Sequence, residues 1–262
     1  MELHLQGKTA VVTGASKGIG LAITRALAAE GVSVTAGARH ISAGLSELAA
    51  RGRVRPVAVD LATLDGPAEL VAAAGEAFGG LDILVNNVGA VRPRTGGFAS
   101  VTDVDWLATL TVNFLSAVRA TREALPLMLG RGGGAIVTVG SVNASLPDPL
   151  VIDYSAAKAA LASFSKSLSK ELGPEGIRVN TVSPGPVATD LWLGAEGVAA
   201  TLARHNGGES RAVAEKAAAD SVTGRFTRPD EVADLVVLLA SGRAGNVTGA
   251  DFVIDGGLID TL

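Results

Sequence analysis

The sequence predicts an α/β protein built on a doubly wound parallel sheet with helices on both faces. Three observations carry this. Seven short β-branched runs recur along the chain, helical patterns fill the intervals, and most of the runs are nearly continuously apolar. Strands that alternate with helices need crossover connections, and crossovers of one hand lay helices over a parallel sheet. A strand covered on both faces has no polar side, so a continuous apolar run replaces the alternation of a half-exposed strand.

In chain order, the first strand is Thr9–Thr13. Ile19, Ala22, Ile23, Ala26 and Leu27 then recur at i, i+3, i+4, i+7 and i+8, one apolar face of a helix, which Gly31 ends. Strands follow at Val32–Ala36 and Val54–Val59, a helix at 66–78, a strand at Ile83–Val85 and a helix at 103–129. The turn Arg131-Gly-Gly-Gly134 leads into the strand Ala135–Val139. A helix at 153–172, a strand at Val179–Val182, a helix at 229–241 and the strand Phe252–Ile254 complete the alternation. No internal repeat, heptad run or long linker interrupts it, so residues 1–262 read as one domain. The segment at about 186–224 is the longest connection and contains Asn206-Gly-Gly208. A connection of that length in a compact domain is usually functional, and this one reads as a mobile substrate loop.

Composition narrows the function. The chain has 262 residues, 48% hydrophobic and 18% charged, which supplies a core and excludes disorder. A net charge of −4 argues against a grip on nucleic acid. Cysteine is absent, which excludes disulfides, thiol nucleophiles, iron–sulfur clusters and Cys-ligated zinc. His4, His40 and His205 are scattered without HExxH spacing, so no metal site is expected. The N-terminus lacks the cationic start and apolar run of a signal peptide, and Val232–Ala240 is too short to span a bilayer. A cytoplasmic protein with no membrane partner is expected, in which the sequons Asn143-Ala-Ser145 and Asn246-Val-Thr248 are chance matches.

The first strand runs into Thr13-Gly-Ala-Ser-Lys-Gly-Ile-Gly20. Gly14, Gly18 and Gly20 permit a sharp turn, close approach of a ligand and tight packing of the helix. The helix start offers free N–H groups and a positive dipole end to a pyrophosphate. The spacing is GxxxGxG, neither GxGxxG nor a P-loop, and a ligand-free tight turn is the plainer alternative. Gly14-Ala-Ser-Lys-Gly18 also matches the GxSxG of hydrolases, but too few residues precede it for their upstream strands, and His205 would have to be the base. Dinucleotide binding is favoured. An acid closing the second strand would hold the ribose of NAD, whereas this chain has Ala38 there, with Arg39 next and Lys17 in the turn. Both cations suit a 2′-phosphate, so NADP(H) is preferred over NAD(H); ordinary surface charge is the alternative for each.

Tyr154 is the single tyrosine, and Lys158 lies four residues on in a helical stretch, so both share one face. A phenol with a pKa of about 10 is a poor acid at neutral pH. A nearby ammonium and an oxidised nicotinamide favour the phenolate and suit the pair to exchange a proton with a carbonyl oxygen as hydride moves. Ser141 follows the strand Ala135–Val139 at the carboxyl end of the sheet, where ligands bind in open α/β folds. Taken alone it reads as a cap or turn residue.

Thr13-Gly-Ala-Ser-Lys-Gly-Ile-Gly20, Asn86-Asn-Val-Gly89, Asn113, Ser141, Tyr154-Ser-Ala-Ala-Lys158 and Pro184-Gly185 together resemble the short-chain dehydrogenase/reductase family, in order from about residue 5 to 260. The resemblance implies a Rossmann-like, seven-stranded sheet, NAD(P)(H), and a centre of Asn113, Ser141, Tyr154 and Lys158. In it Tyr154 is the general acid/base, Lys158 binds the nicotinamide ribose, Ser141 orients the carbonyl and Asn113 supports a water relay. It further implies that Gly14, Ser16, Lys17, Gly18, Ile19 and Gly20 surround the phosphates, with Arg39 at the 2′-phosphate. Asp60 and Leu61 flank adenine, Asn87, Val88 and Gly89 line the ribose side, and Pro184, Gly185, Val187 and Thr189 hold the nicotinamide end. Two departures stand out: Val88 replaces the usual alanine, and Gly140 replaces a frequent serine.

The substrate implied is a small ketone or secondary alcohol, such as a 3-oxoacyl thioester or a specialised ketone. Trp192 is a candidate to close over it, to anchor the loop, or to make an oligomer contact. Arg92 and Arg94, following the fourth strand, read first as solvated surface charges, with contact to a substrate carboxylate or phosphate as the alternative. A homo-oligomer, tetramer or dimer, is implied through the helices at 103–129 and 153–172, the latter lined with Ala156, Ala157, Ala160, Ser163 and Ser167.

Overall fold

The computed structural model describes residues 2–260, so Met1, Thr261 and Leu262 of the expected domain lie outside the described residues. The chain runs β1 (Thr9–Thr13), α1 (Gly18–Ala29), β2 (Ser33–Ala38), α2 (Ala43–Ala50), β3 (Val54–Ala58), α3 (Gly66–Phe78), β4 (Ile83–Asn86), α4 (Asp103–Leu110) and α5 (Ser116–Gly130). It continues through β5 (Gly134–Val139), α6 (Ile152–Leu172), β6 (Ile177–Pro184), α7 (Asp190–Leu193), α8 (Val198–Asn206), α9 (Ser210–Ala219), α10 (Pro229–Ala240) and β7 (Asp251–Ile254). The strands form one sheet in the order β3-β2-β1-β4-β5-β6-β7, every pairing parallel. Chain order reverses between β1 and β4, which makes a Rossmann-like switch point whose crevice opens at the carboxyl ends of the strands.

The apolar runs are continuous because successive side chains enter different cores. Val12, Ile83, Val85 and Val137 join a core with Ile23 and Leu27 of α1 and Val232 and Val236 of α10. Their neighbours Val11, Leu84 and Ile136 join a second core with Leu70 of α3, Met128 of α5 and Leu168 of α6. The rule fails at both edges. In β3 Arg55 is exposed and Pro56 is tolerated, because an edge strand can lack one ladder donor. In β7 exposed and half-buried residues alternate.

Several boundaries depart from expectation. The second strand lies at Ser33–Ala38, not Val32–Ala36, because Gly37 and Ala38 pair with Val57 and Ala58. The last strands begin or end beyond the apolar runs for the same reason: ladder pairing recruits Arg178, Ser183 and Asp251 whatever their polarity. The helix expected at 103–129 is two helices joined by a π turn at Thr111–Leu115. The helix α2 was not anticipated; Ser42 caps it by accepting from the Leu45 amide at 3.2 Å. Residues 190–219, read as part of one long loop, contain α7, α8 and α9. Among the described residues no helix is long and apolar enough to cross a membrane.

Candidate active site

The turn after β1 is built from backbone. Gly14 and Gly18 have φ of +67° and +53°, which a side chain would strain. A Cβ on Gly20 would overlap the Gly14 carbonyl and the Asn87 amide. Asn87 Nδ2 donates to the carbonyls of Thr13 at 2.8 Å and Gly14 at 3.2 Å. Thr13 Oγ1 accepts the amides of Asn87 at 2.8 Å and Val88 at 3.0 Å. β1 and the end of β4 are thus clamped across the switch point, and the Asn87 side chain is engaged in that clamp. Ser16 is held from the other side, its carbonyl accepting from Ser42 Oγ at 2.5 Å.

The N-terminus of α1 has no side-chain cap, whereas α2 and α4 are capped by Ser42 and Thr102. Its first amides therefore lack the partners that a capping oxygen supplies and are available to an anion. Lys17 and Arg39 are exposed, and Arg39 directly follows β2. Asp60 is exposed and accepts the Ala62 amide at 2.9 Å, while Leu61 is buried in the second core. On the far side of the crevice, Gly185 packs against Asp255 and donates to the Ile254 carbonyl at 3.0 Å. Val187 bridges to Thr227, and Thr189, the residue before α7, approaches Gly18. The two ends of the expected cofactor set, the β1 turn and the β6 end, are thus brought together.

The polar centre lies at the carboxyl ends of β4 and β5. Ser141 is buried; its Oγ accepts the Asn143 amide at 3.2 Å and donates to Asn143 Oδ1 at 3.3 Å, and it is the side chain that favours the Tyr154 phenolate. Burial pushes the Tyr154 phenol above its ordinary value, and the neighbouring Ser141 hydroxyl opposes that rise without reversing it. The Lys158 ammonium is 5.7 Å from the Tyr154 ring centroid and donates to the Val139 carbonyl at 2.9 Å. Burial lowers its pKa from 10.5 to about 8. In the protein alone, then, the lysine lies over the ring, and burial sets the direction of the tyrosine shift, upward where the sequence suggested a lowering.

Asn113 is buried within the π turn, a local widening often found at functional sites. Its Oδ1 accepts the Ala90 amide at 3.0 Å, and its Nδ2 donates to the carbonyls of Ala90 at 2.9 Å and Thr109 at 3.0 Å. A Cβ on Gly89 would lie 2.9 Å from Asn113 Oδ1 and 3.6 Å from Lys158 Nζ, so the glycine keeps the space between them open. The departure at Gly140 has a steric cause, since a Cβ there would come within 2.7 Å of Ser183 Oγ. Val88 turns its bulk to the second core.

Arg92 is exposed, as expected, but Arg94 is not: it is half-buried, its guanidinium enclosed in ion pairs with Asp105 and Asp153. Charge alone suggested a surface residue, and only the approach of α4 and α6 provides its acids. Trp192 rests against Phe226 with ring centroids 5.5 Å apart. The clamp at Thr13 and the bonds of Thr109 to Asn113 and Asp153 border the polar centre, and neither Thr109 nor Asp153 was expected there from the sequence. Asp153 had one signal, its place directly before Tyr154.

A crevice at a switch point, a glycine turn with an uncapped helix start, and a polar centre at the neighbouring strand ends define an α/β dinucleotide-binding type of protein. The family model described as enoyl-(acyl carrier protein) reductase matches residues 14–259. The 2,3-dihydro-2,3-dihydroxybenzoate dehydrogenase of Bacillus subtilis is 36% identical, with 97% of this chain and 96% of the relative covered. A 3-oxoacyl-(acyl-carrier-protein) reductase of Thermotoga maritima is 32% identical over 98% of this chain and 100% of the relative. The crystal structure of L-sorbose reductase from Gluconobacter frateurii, complexed with NADPH and L-sorbose, superposes with a TM-score of 0.92 at 37% identity, covering 100% of both chains. The chain belongs to the short-chain dehydrogenase/reductase family and is an oxidoreductase.

Proposed function

We propose that the protein is an NADP(H)-dependent oxidoreductase that interconverts a small ketone and a secondary alcohol, acting as a reductase in the cell. One observation carries the mechanism: Lys158, held by the Val139 carbonyl, lies over the Tyr154 ring, with Ser141 acting on the same phenol and Asn113 near the lysine. Tyr154 donates a proton to the carbonyl oxygen, or takes it back in the oxidative direction. Ser141 holds that oxygen, and Lys158 supplies a positive charge below the phenol. Asn113, tied to Ala90 and Thr109, supports the passage of the proton toward Lys158.

The residues fit a dinucleotide, because the Gly14–Gly20 turn leaves a cradle that a Cβ would fill and an uncapped helix start faces it. Gly14, Ser16, Lys17, Gly18, Ile19 and Gly20 would hold its phosphates, and Arg39 with Lys17 its 2′-phosphate. Asp60 and Leu61 would flank the adenine, Asn87, Val88 and Gly89 the adjoining ribose, and Tyr154 and Lys158 the nicotinamide ribose. Pro184, Gly185, Val187 and Thr189 would hold the nicotinamide end. When bound, such a group supplies or accepts the hydride. The preference for NADP(H) is supported by Ala38 and Arg39 at the end of β2 and by the NADPH in the similar L-sorbose reductase. The ketone is a sugar-like ketone or a 3-oxoacyl thioester, the classes named for two of the relatives.

We further propose one cytoplasmic domain whose segment 186–224 moves as a substrate loop about the Trp192–Phe226 contact. It would assemble as a homo-oligomer through α6, where Ala156, Ser163 and Ser167 are exposed and small. Light scattering tests the assembly, and a monomer refutes it. The function is tested by titrating NADPH and NADH separately into wild type and Arg39→Ala, watching nicotinamide fluorescence. Preference for NADPH that the variant loses is expected. Equal binding of NADH moves the protein to NAD-linked alcohol oxidation, and no binding of either overturns the proposal.

A further inference from the structure

Beside the tyrosine lies a buried charge cluster that the roles above leave unused. Arg94, in the connection after β4, and Asp153, the residue before Tyr154, have side chains only 10% and 2% exposed. Arg94 Nε donates to Asp153 Oδ2 at 3.1 Å, Nη2 donates to the same oxygen, and Nη1 donates to Asp105 Oδ1 of α4 at 2.9 Å. Thr109 Oγ1 donates to Asp153 Oδ2 at 2.7 Å, while the Thr109 carbonyl accepts from Asn113 at 3.0 Å. The Arg94 amide donates to the Leu150 carbonyl at 2.6 Å, just ahead of α6. Burial raises the Asp153 pKa, but donation from Arg94 and Thr109 outweighs it and keeps the carboxyl below its ordinary range. A buried ion pair is seldom worth more to stability than apolar residues of the same volume, so this one calls for a functional account.

We infer that Arg94 and Asp153 are positioning residues that, with Thr109, lock the start of α6 to α4 and the Asn113 turn, and whose paired charges hold Tyr154 in a fixed electrostatic field. The inference deepens the proposed reaction and rests on Tyr154 as its acid/base. The other charged groups near this end of α6 are Lys158, Asp148 before the helix, Asp103 and Asp105 on α4, and the exposed Arg92. The π turn and residues 142–144 bring none. Arg178, the one ionisable residue of β6, is bound to the Leu239 and Ser241 carbonyls at the far end of the strand. Arg94, Asp105 and Asp153 carry formal charges of +1, −1 and −1, a sum of −1. Removing the arginine alone makes the sum about −2, removing Asp153 alone about 0, and removing both restores about −1.

Because the chain has 1 tyrosine, the ultraviolet absorbance of tyrosinate follows Tyr154 alone, in the free protein and without turnover. Arg94→Gln is expected to raise the midpoint by about one pH unit and Asp153→Asn to lower it by about as much. The double variant is expected to return to the wild-type midpoint, and the tyrosine-dependent limb of the pH–rate profile to move in step. Thr109→Val, which removes a bond but no charge, leaves the midpoint in place and lowers kcat by about tenfold with KM unchanged. Midpoints that coincide in all variants, or that move the same way in both single variants, overturn the inference. Should Arg94→Gln fail to fold by circular dichroism, Arg94→Lys and Asp153→Asn decide: the second must shift the midpoint and the first must not. Tyr154→Phe is judged separately. If it stays active, the acid/base role fails; if it is inactive while the midpoints stay fixed, only the role of the cluster fails.

Discussion

The two walls of the crevice are made of different material. The wall after β1 is backbone: glycines, an uncapped helix start, and carbonyls clamped by Asn87. The wall at β5 and α6 is side chain: Asn113 tied to Ala90 and Thr109, Ser141 to Asn143, Lys158 to the Val139 carbonyl, with the Tyr154 ring over the lysine. A backbone wall accepts any ligand with the right phosphates, and its failures are steric. A side-chain wall sets protonation states, and its failures are electrostatic.

The contrast breaks most sharply at the phenol. Tyr154→Phe keeps the ring and its packing but loses the proton, so steady-state kinetics should lose about 100- to 10,000-fold in kcat while NADPH binding persists. On the other wall, Gly20→Ala should do the reverse. Its Cβ meets the Gly14 carbonyl, so a denaturant titration should lose about 1–3 kcal/mol and dinucleotide affinity should fall with it. Arg39→Ala tests charge at the edge of the backbone wall and should weaken NADPH by about 10- to 100-fold, with NADH unchanged. If NADH weakens equally, Arg39 reads no 2′-phosphate.

A pH profile then sharpens the side-chain wall. With Lys158 held at about 8 by burial, its ammonium is present below that value and lost as pH rises through it. The reduction rate should therefore fall by about tenfold per unit above it, and a flat profile to high pH would show that the lysine charge is dispensable. The smallest effect is expected at the contact that anchors α7. Trp192→Ala should cost about 0.5–1.5 kcal/mol in thermal unfolding and change KM more than kcat.

How much of this was legible in the sequence follows the same division. The glycine turn could be read because a backbone site leaves a local signature: three glycines between an apolar strand and an amphipathic helix. Tyr154 and Lys158 could be read because one helical turn joins them. The Arg94 cluster could not, since its members come from a loop, α4 and α6 and are distant in the chain until the helices pack. Nor could the break between α4 and α5, because apolar periodicity survives a π turn that changes only the backbone register.

From sequence alone came the doubly wound sheet, the family resemblance and the placing of Tyr154 and Lys158 on one helical face, because periodicity and spacing along the chain carry them. Tertiary structure alone decided that Arg94 is enclosed by two carboxylates, that Lys158 lies beneath the phenol ring, and that Gly140 must be small beside Ser183. Burial and charge pairing depend on which elements meet in space, and residue order along the chain does not encode that distance directly.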